Sequence, residues 1–118
     1  MRDKLFDSEA KVMEIIWEHE PISAKEISLI AADRIGWNKN TTYTVIKKLE
    51  AKGYVKRSEP GFVCTALVSR VENEKSEVRS LLDKIFNGSK KALFSALLEE
   101  ETITDDEAKE LIELIENR

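Results

Sequence analysis

Asn38 to Arg57 reads NKNTTYTVIKKLEAKGYVKR, and the fold is decided here. The stretch holds Lys39, Lys47, Lys48, Lys52, Lys56 and Arg57 against Glu50 alone, a net of +5. Its first part has the marks of a helix from Asn38 to Lys52, with Asn38 as cap and Gly53 just past the end. Thr42, Val45, Ile46 and Leu49 fall at i, i+3, i+4 and i+7, one buried face. Asn40, Thr41, Tyr43, Thr44 and Lys47 lie on the rest of the wheel. From Gly53 the period changes to that of a strand. Gly53–Ser58 and Phe62–Val68 read as a hairpin, joined at Glu59-Pro60-Gly61-Phe62 by a type II turn.

Two helices precede this unit. The first is expected from Asp7, as its cap, to about Glu20, with Ala10, Met13, Ile16 and Trp17 as its stripe and Pro21 ending it. Met1 to Phe6 reads as a loose leader. The second opens at Ser23, which has capping-box spacing to Glu26, with Ile22 and Ile27 placed as a hydrophobic staple. Ile27, Ile30 and Ala31 face inward, and Gly36 lies beyond its end. Helix, helix, basic helix and basic hairpin is the layout of a winged helix-turn-helix.

Three more helices follow. Ser69 and Glu72 open one with Val78, Leu81, Leu82, Ile85 and Phe86, broken by Asn87-Gly88-Ser89. The next holds Ala92, Leu93, Phe94, Leu97 and Leu98, with Glu99 to Thr102 as a solvated link. Thr104 and Glu107 open the last, with Ala108, Leu111, Ile112 and Ile115 inward. The expected class is mainly α with a small β-hairpin: a winged N-terminal domain over residues 1–70 and a helical dimerisation domain over 71–118.

Charge divides the same way. The chain of 118 residues carries a formal net charge of −4, yet the first seventy positions sum to +2 and the remainder to −6. Such asymmetry suggests that the first half faces a polyanion. A lysine-rich helix face is commonly just solvated. This one also presents hydrogen-bonding side chains of moderate length near a helix N-terminus, as a helix reading base edges in a major groove does. Asn40, Thr41, Tyr43, Thr44 and Lys47 are the candidate base readers. Lys39, Lys48, Lys52, Lys56 and Arg57 are the candidate phosphate contacts.

Other chemistry finds little support. His19, near the end of the first helix, reads as a surface residue favoured by the helix dipole. The lone Cys64 reads as a small core residue, and its solitude fits a reducing cytoplasm. No Cys/His spacing suits zinc and no glycine-rich phosphate loop is present, so no enzyme, metal site or cofactor is expected. No apolar run is long enough for a membrane span, and no secretory leader is evident. Trp17 and Trp37 read as core anchors.

Several stretches together resemble the penicillinase-repressor family of bacterial transcriptional regulators. They are Glu9-Ala10-Lys11-Val12-Met13-Glu14-Ile15-Ile16-Trp17, then Trp37-Asn38-Lys39-Asn40-Thr41-Thr42-Tyr43-Thr44-Val45-Ile46-Lys47-Lys48-Leu49, then Lys52-Gly53 and Phe86-Asn87-Gly88. The resemblance implies a cytoplasmic homodimer whose winged domain binds a pseudo-palindromic operator with Asn38–Lys52 in the major groove. It implies dimer contacts from the C-terminal helices, for which Leu81, Leu82, Ile85, Phe86, Leu93, Phe94, Leu97, Ile112 and Ile115 are the candidates. It also implies an inducing protease, whose cleavage point aligns with Ala96-Leu97. This chain departs from the family in Lys39, Asn40 and Tyr43, and in lacking the Asn-Phe pair at the cleavage point, which implies a different operator and poor cutting. Two other readings stand beside this one. One is a small-molecule sensor built on the same fold. The other is a winged module for protein contacts alone, for which exposed aliphatic or aromatic anchors on the third helix would be the mark.

Overall fold

The computed structural model describes residues 3–100 and 103–118. The elements run α1 (Asp7–His19), β1 (Ile22–Ser23), α2 (Ala24–Arg34), α3 (Lys39–Ala51), β2 (Val55–Ser58), β3 (Val63–Ala66), α4 (Arg70–Ile85), α5 (Lys90–Glu99) and α6 (Asp105–Glu116). The chain divides into two compact units between Lys75 and Ser76, inside α4. The sequence reading placed that division at the helix start.

In the first unit, α1, α2 and α3 enclose one core against a three-stranded antiparallel sheet. Val12, Met13, Ile15 and Ile16 of α1 meet Ala24, Ile27 and Ala31 of α2 and Val45, Ile46 and Leu49 of α3. Tyr54, Val55, Cys64 and Val68 close the sheet side. Each Val, Ile, Leu or Met among them contributes about 1.5–3 kcal/mol by leaving water. Trp17 is half-buried and donates its indole N–H to the Val68 carbonyl at 2.9 Å, tying α1 to the end of the hairpin. Between α1 and α2, Arg34 pairs with Glu18 at 2.9 Å, and that hydrogen bond holds the Glu18 carboxyl below its ordinary range.

Caps follow the side-chain chemistry. Ser23 Oγ accepts the Glu26 N–H, Asn38 Oδ1 the Thr41 N–H and Ser89 Oγ the Ala92 N–H. Thr104 and Glu107 form a reciprocal capping box, and its hydrogen bonds hold the Glu107 carboxyl below its ordinary range. At the end of α3, Gly53 sits at φ +83. Its N–H reaches the Glu50 carbonyl at 3.1 Å, and the Tyr54 N–H reaches Leu49 at 3.0 Å. These are the two bonds of a Schellman turn, and the residue between them needs a positive φ.

The sheet holds one strand more than expected. Ile22–Ser23, expected as the lead-in to a helix, pairs with β3, so the order is β1-β3-β2. The chain start also differs. Phe6, rather than Asp7, is the cap position of α1, and its N–H is donated to Glu9 Oε1 at 2.7 Å. Residues 3–6 are docked rather than loose: Leu5 is buried, and Tyr54 donates its hydroxyl to the Asp3 carbonyl at 2.8 Å.

The second unit has no buried side chain in α5 or α6, and α4, which spans both units, has none along its length. Leu82, Phe86, Leu93, Leu97 and Leu111 are half-buried. Leu81, Ile85, Phe94, Leu98, Ile112 and Ile115 are exposed. Ile112 and Ile115 were expected inward, and in a single chain they face water. Glu99 belongs to α5 rather than to a link, Glu100 is the cap at its end, and the rest of the expected link, Glu101 and Thr102, lies outside the described residues.

Candidate nucleic-acid interface

Helix α3 has two chemically distinct sides. Thr42, Val45, Ile46 and Leu49 are buried. Lys39, Asn40, Thr41, Thr44, Lys47 and Lys48 are exposed. Asn38 fixes the start of the helix, so its first-turn N–H groups and their positive dipole end stand beside Lys39 and Asn40. Thr44 donates its hydroxyl to the Asn40 carbonyl at 2.9 Å, which orients it along the helix.

Tyr43 differs from the other candidate readers. It is half-buried and meets Phe62, in the wing turn just before β3, edge to face, with ring centroids 5.9 Å apart and planes at 87°. Lys39 lies over the Tyr43 ring at 5.5 Å. The structure thus gives Tyr43 a packing partner on the wing.

The five candidate phosphate contacts separate into two groups. Lys39, Lys48 and Lys56 are exposed. Lys52 and Arg57 are engaged within the protein. The Lys52 ammonium donates to Glu9 Oε1 at 2.7 Å and to the Lys4 carbonyl at 3.0 Å, and it lies 4.1 Å over the Phe6 ring. Its side chain is 16% exposed and that of Glu9 1%. The expected outward contact at Lys52 is replaced by an inward ion pair, because a buried carboxylate needs a compensating charge. Glu9 Oε2 has no hydrogen-bond partner among the described residues. In the sequence Glu9 figured only in the stretch shared with the resembled family, with no role of its own. Its spacing to Val12, Met13 and Ile16 on the buried face was the available signal.

Arg57 stacks on Phe62, with its guanidinium carbon 3.5 Å from the ring centroid. It pairs with Glu50 of α3 at 3.2 Å and with Glu59 of the turn at 3.7 Å. The other oxygen of Glu59 accepts the Phe62 N–H at 3.2 Å. Glu59 therefore caps the wing turn, where a type II turn would have used a backbone carbonyl. Opposite Arg57 in the sheet is Cys64, whose thiol burial pushes up to about 11. Among the described residues, no group of His, Cys, Asp or Glu is arranged to hold a metal ion. No described helix is long and apolar enough to cross a membrane.

The remaining candidates lie outside this unit. Leu81, Leu82, Ile85, Phe86, Leu93, Phe94, Leu97, Ile112 and Ile115 sit on α4, α5 and α6, exposed or half-buried. Ala96 and Leu97 are half-buried within α5.

Comparison with known proteins agrees with this architecture. The chain is 25% identical over 115 residues to the penicillinase repressor of Bacillus licheniformis, covering 96% of this chain and 90% of that one. It is 25% identical over 117 residues to the methicillin resistance regulatory protein MecI of Staphylococcus aureus (strain N315), covering 98% and 95%. The solution structure of the DNA binding domain of the repressor BlaI superposes with a TM-score of 0.55 at 26% identity, covering 61% of this chain and 93% of that one. The sequence profile described as Penicillinase repressor matches residues 5–117, nearly the whole chain, which therefore belongs to the penicillinase repressor family, a family of repressors and not of enzymes.

Proposed function

We propose that this protein is a transcriptional repressor that binds a pseudo-palindromic duplex as a homodimer, with α3 in the major groove. The carrying observation is α3 itself, whose inner face is core and whose exposed face holds Lys39, Asn40, Thr41, Thr44, Lys47 and Lys48. Asn40, Thr41, Tyr43, Thr44 and Lys47 read base edges. Lys39, Lys48 and Lys56 meet phosphates, while Lys52 and Arg57 act mainly by bracing the elements that carry the others. A module for protein contacts would show exposed aliphatic or aromatic anchors on that face, where α3 has only Tyr43, half-buried against Phe62. The dimer reading rests on the exposed apolar side chains of α4, α5 and α6, a set that calls for a covering partner. A protease acting at Ala96-Leu97 is the inducing partner consistent with the family.

Selection of bound fragments from a random duplex pool tests the reading. It should return a motif with dyad symmetry, its half-sites about one helical turn or a small multiple apart. Affinity should fall steeply with salt. A pool with no enriched motif, bound weakly and without a salt slope, would overturn the proposal.

A further inference from the structure

Phe62 occupies a backbone conformation that its side chain does not favour. Its φ is +50, in the left-handed region, where a bulky aromatic residue is an outlier. Such conformations persist only where the surroundings over-determine them, and they cluster at functional positions. Four contacts hold this one. The Phe62 N–H goes to the Glu59 carboxylate, and the Phe62 carbonyl accepts the Ala24 N–H at 2.9 Å. One side of the ring is covered by the Arg57 guanidinium, and Tyr43 meets the ring edge to face. Glu50 and Glu59 in turn neutralise and orient Arg57, whose Nε is buried without a partner among the described residues. The construction runs from the wing turn through one ring to one side chain on α3.

We propose that Phe62 is a specificity-determining positioning residue, which sets the Tyr43 ring at the base edges although Phe62 itself touches no base. The inference rests on the repressor reading and deepens it. A free tyrosine on an exposed helix samples several rotamers, and a base-edge contact needs one. Packing against a wing residue of fixed backbone supplies that selection before DNA arrives, which lowers the ordering cost of recognition. Arg57 is the brace of this arrangement rather than a phosphate contact, since two carboxylates already neutralise it.

The test is a double-mutant cycle read by selection from the random duplex pool, using the full chain. Tyr43→Ala identifies the base pair that Tyr43 reads, where preference should fall about ten-fold. Phe62→Asn should relax the same base pair by a similar factor, and adding it to Tyr43→Ala should change little more. Asparagine tolerates positive φ, so this variant keeps the turn while removing the ring. Should it fail to fold by circular dichroism, Phe62→Leu, apolar and without an aromatic face, takes its place. Phe62→Tyr, which keeps the ring, should retain the preference. Three results would overturn the inference while leaving the repressor reading intact: Tyr43→Ala without effect on preference, Phe62→Asn weakening all sequences alike, or the two losses multiplying independently. Absence of any motif for the unaltered chain would overturn the repressor reading and this inference with it.

Discussion

At the scale of single residues, the sharpest energetic statement concerns Lys52 and Glu9. A buried ion pair broken by removing one partner leaves an uncompensated charge, typically costing about 3–5 kcal/mol. Lys52 keeps some contact with water, so Lys52→Ala should cost near the low end, about 3 kcal/mol, as a lowered urea midpoint with an unchanged slope. Combining Lys52→Met with Glu9→Gln should recover part of that loss, since the pair is then replaced rather than broken. An independent expectation concerns Cys64. With the thiol fully buried and pushed up to about 11, it should resist thiol reagents at pH 8 in the native chain and react fully in urea. The sign for stability follows. The unfolded thiol ionises near 9 and the folded one later, so the folded state binds more protons in that window. Stability from this group is complete below about 9 and declines as pH rises towards about 11.

At the scale of elements, the proposed roles on α3 separate by what a substitution should change. Thr44→Ala should relax base preference by about 1–3 kcal/mol at one position. Lys48→Ala should weaken binding to all sequences and reduce the salt slope by about one. Fluorescence anisotropy across a salt series with matched and mismatched duplexes measures both. Helix α5 carries a different expectation. A protease needs extended backbone, and Ala96-Leu97 is helical, with the Ala96 carbonyl bonded to the Glu100 N–H at 3.1 Å. A family protease should therefore cut this chain slowly, and mass spectrometry of the digest shows whether it does. Cap and period signals made α1 to α6 legible in the sequence, because those signals are local. Strand β1 was not legible. Two residues carry no periodicity, and their pairing with β3 depends on a partner some forty positions away. The ion pairs of Lys52 and Arg57 were not legible for the same reason: a cation in a basic run looks solvated until its carboxylate partners fold beside it.

At the scale of the whole molecule, the two units carry different expectations. Residues 1–75 hold the buried core, while α5 and α6 have no fully buried side chain in a single chain. A fragment ending at Lys75 should fold, sediment as a monomer and bind a full operator at least about 100-fold more weakly, because two linked half-sites become independent. Sedimentation of that fragment as a dimer would place the interface in the wrong unit.

The strand order has a consequence for how the DNA-binding unit opens. Because β3 lies between β1 and β2, the wing is joined through backbone hydrogen bonds to the segment that starts α2. The Ala24 N–H extends that connection to Phe62. A wing on a plain hairpin would fray alone. Here its amides should share one opening event with the Ala24 amide, so deuterium uptake at Val63 and Ala24 should follow a common protection factor. On the proposed reading, α3 and its flanking wing would then meet DNA as one preassembled surface.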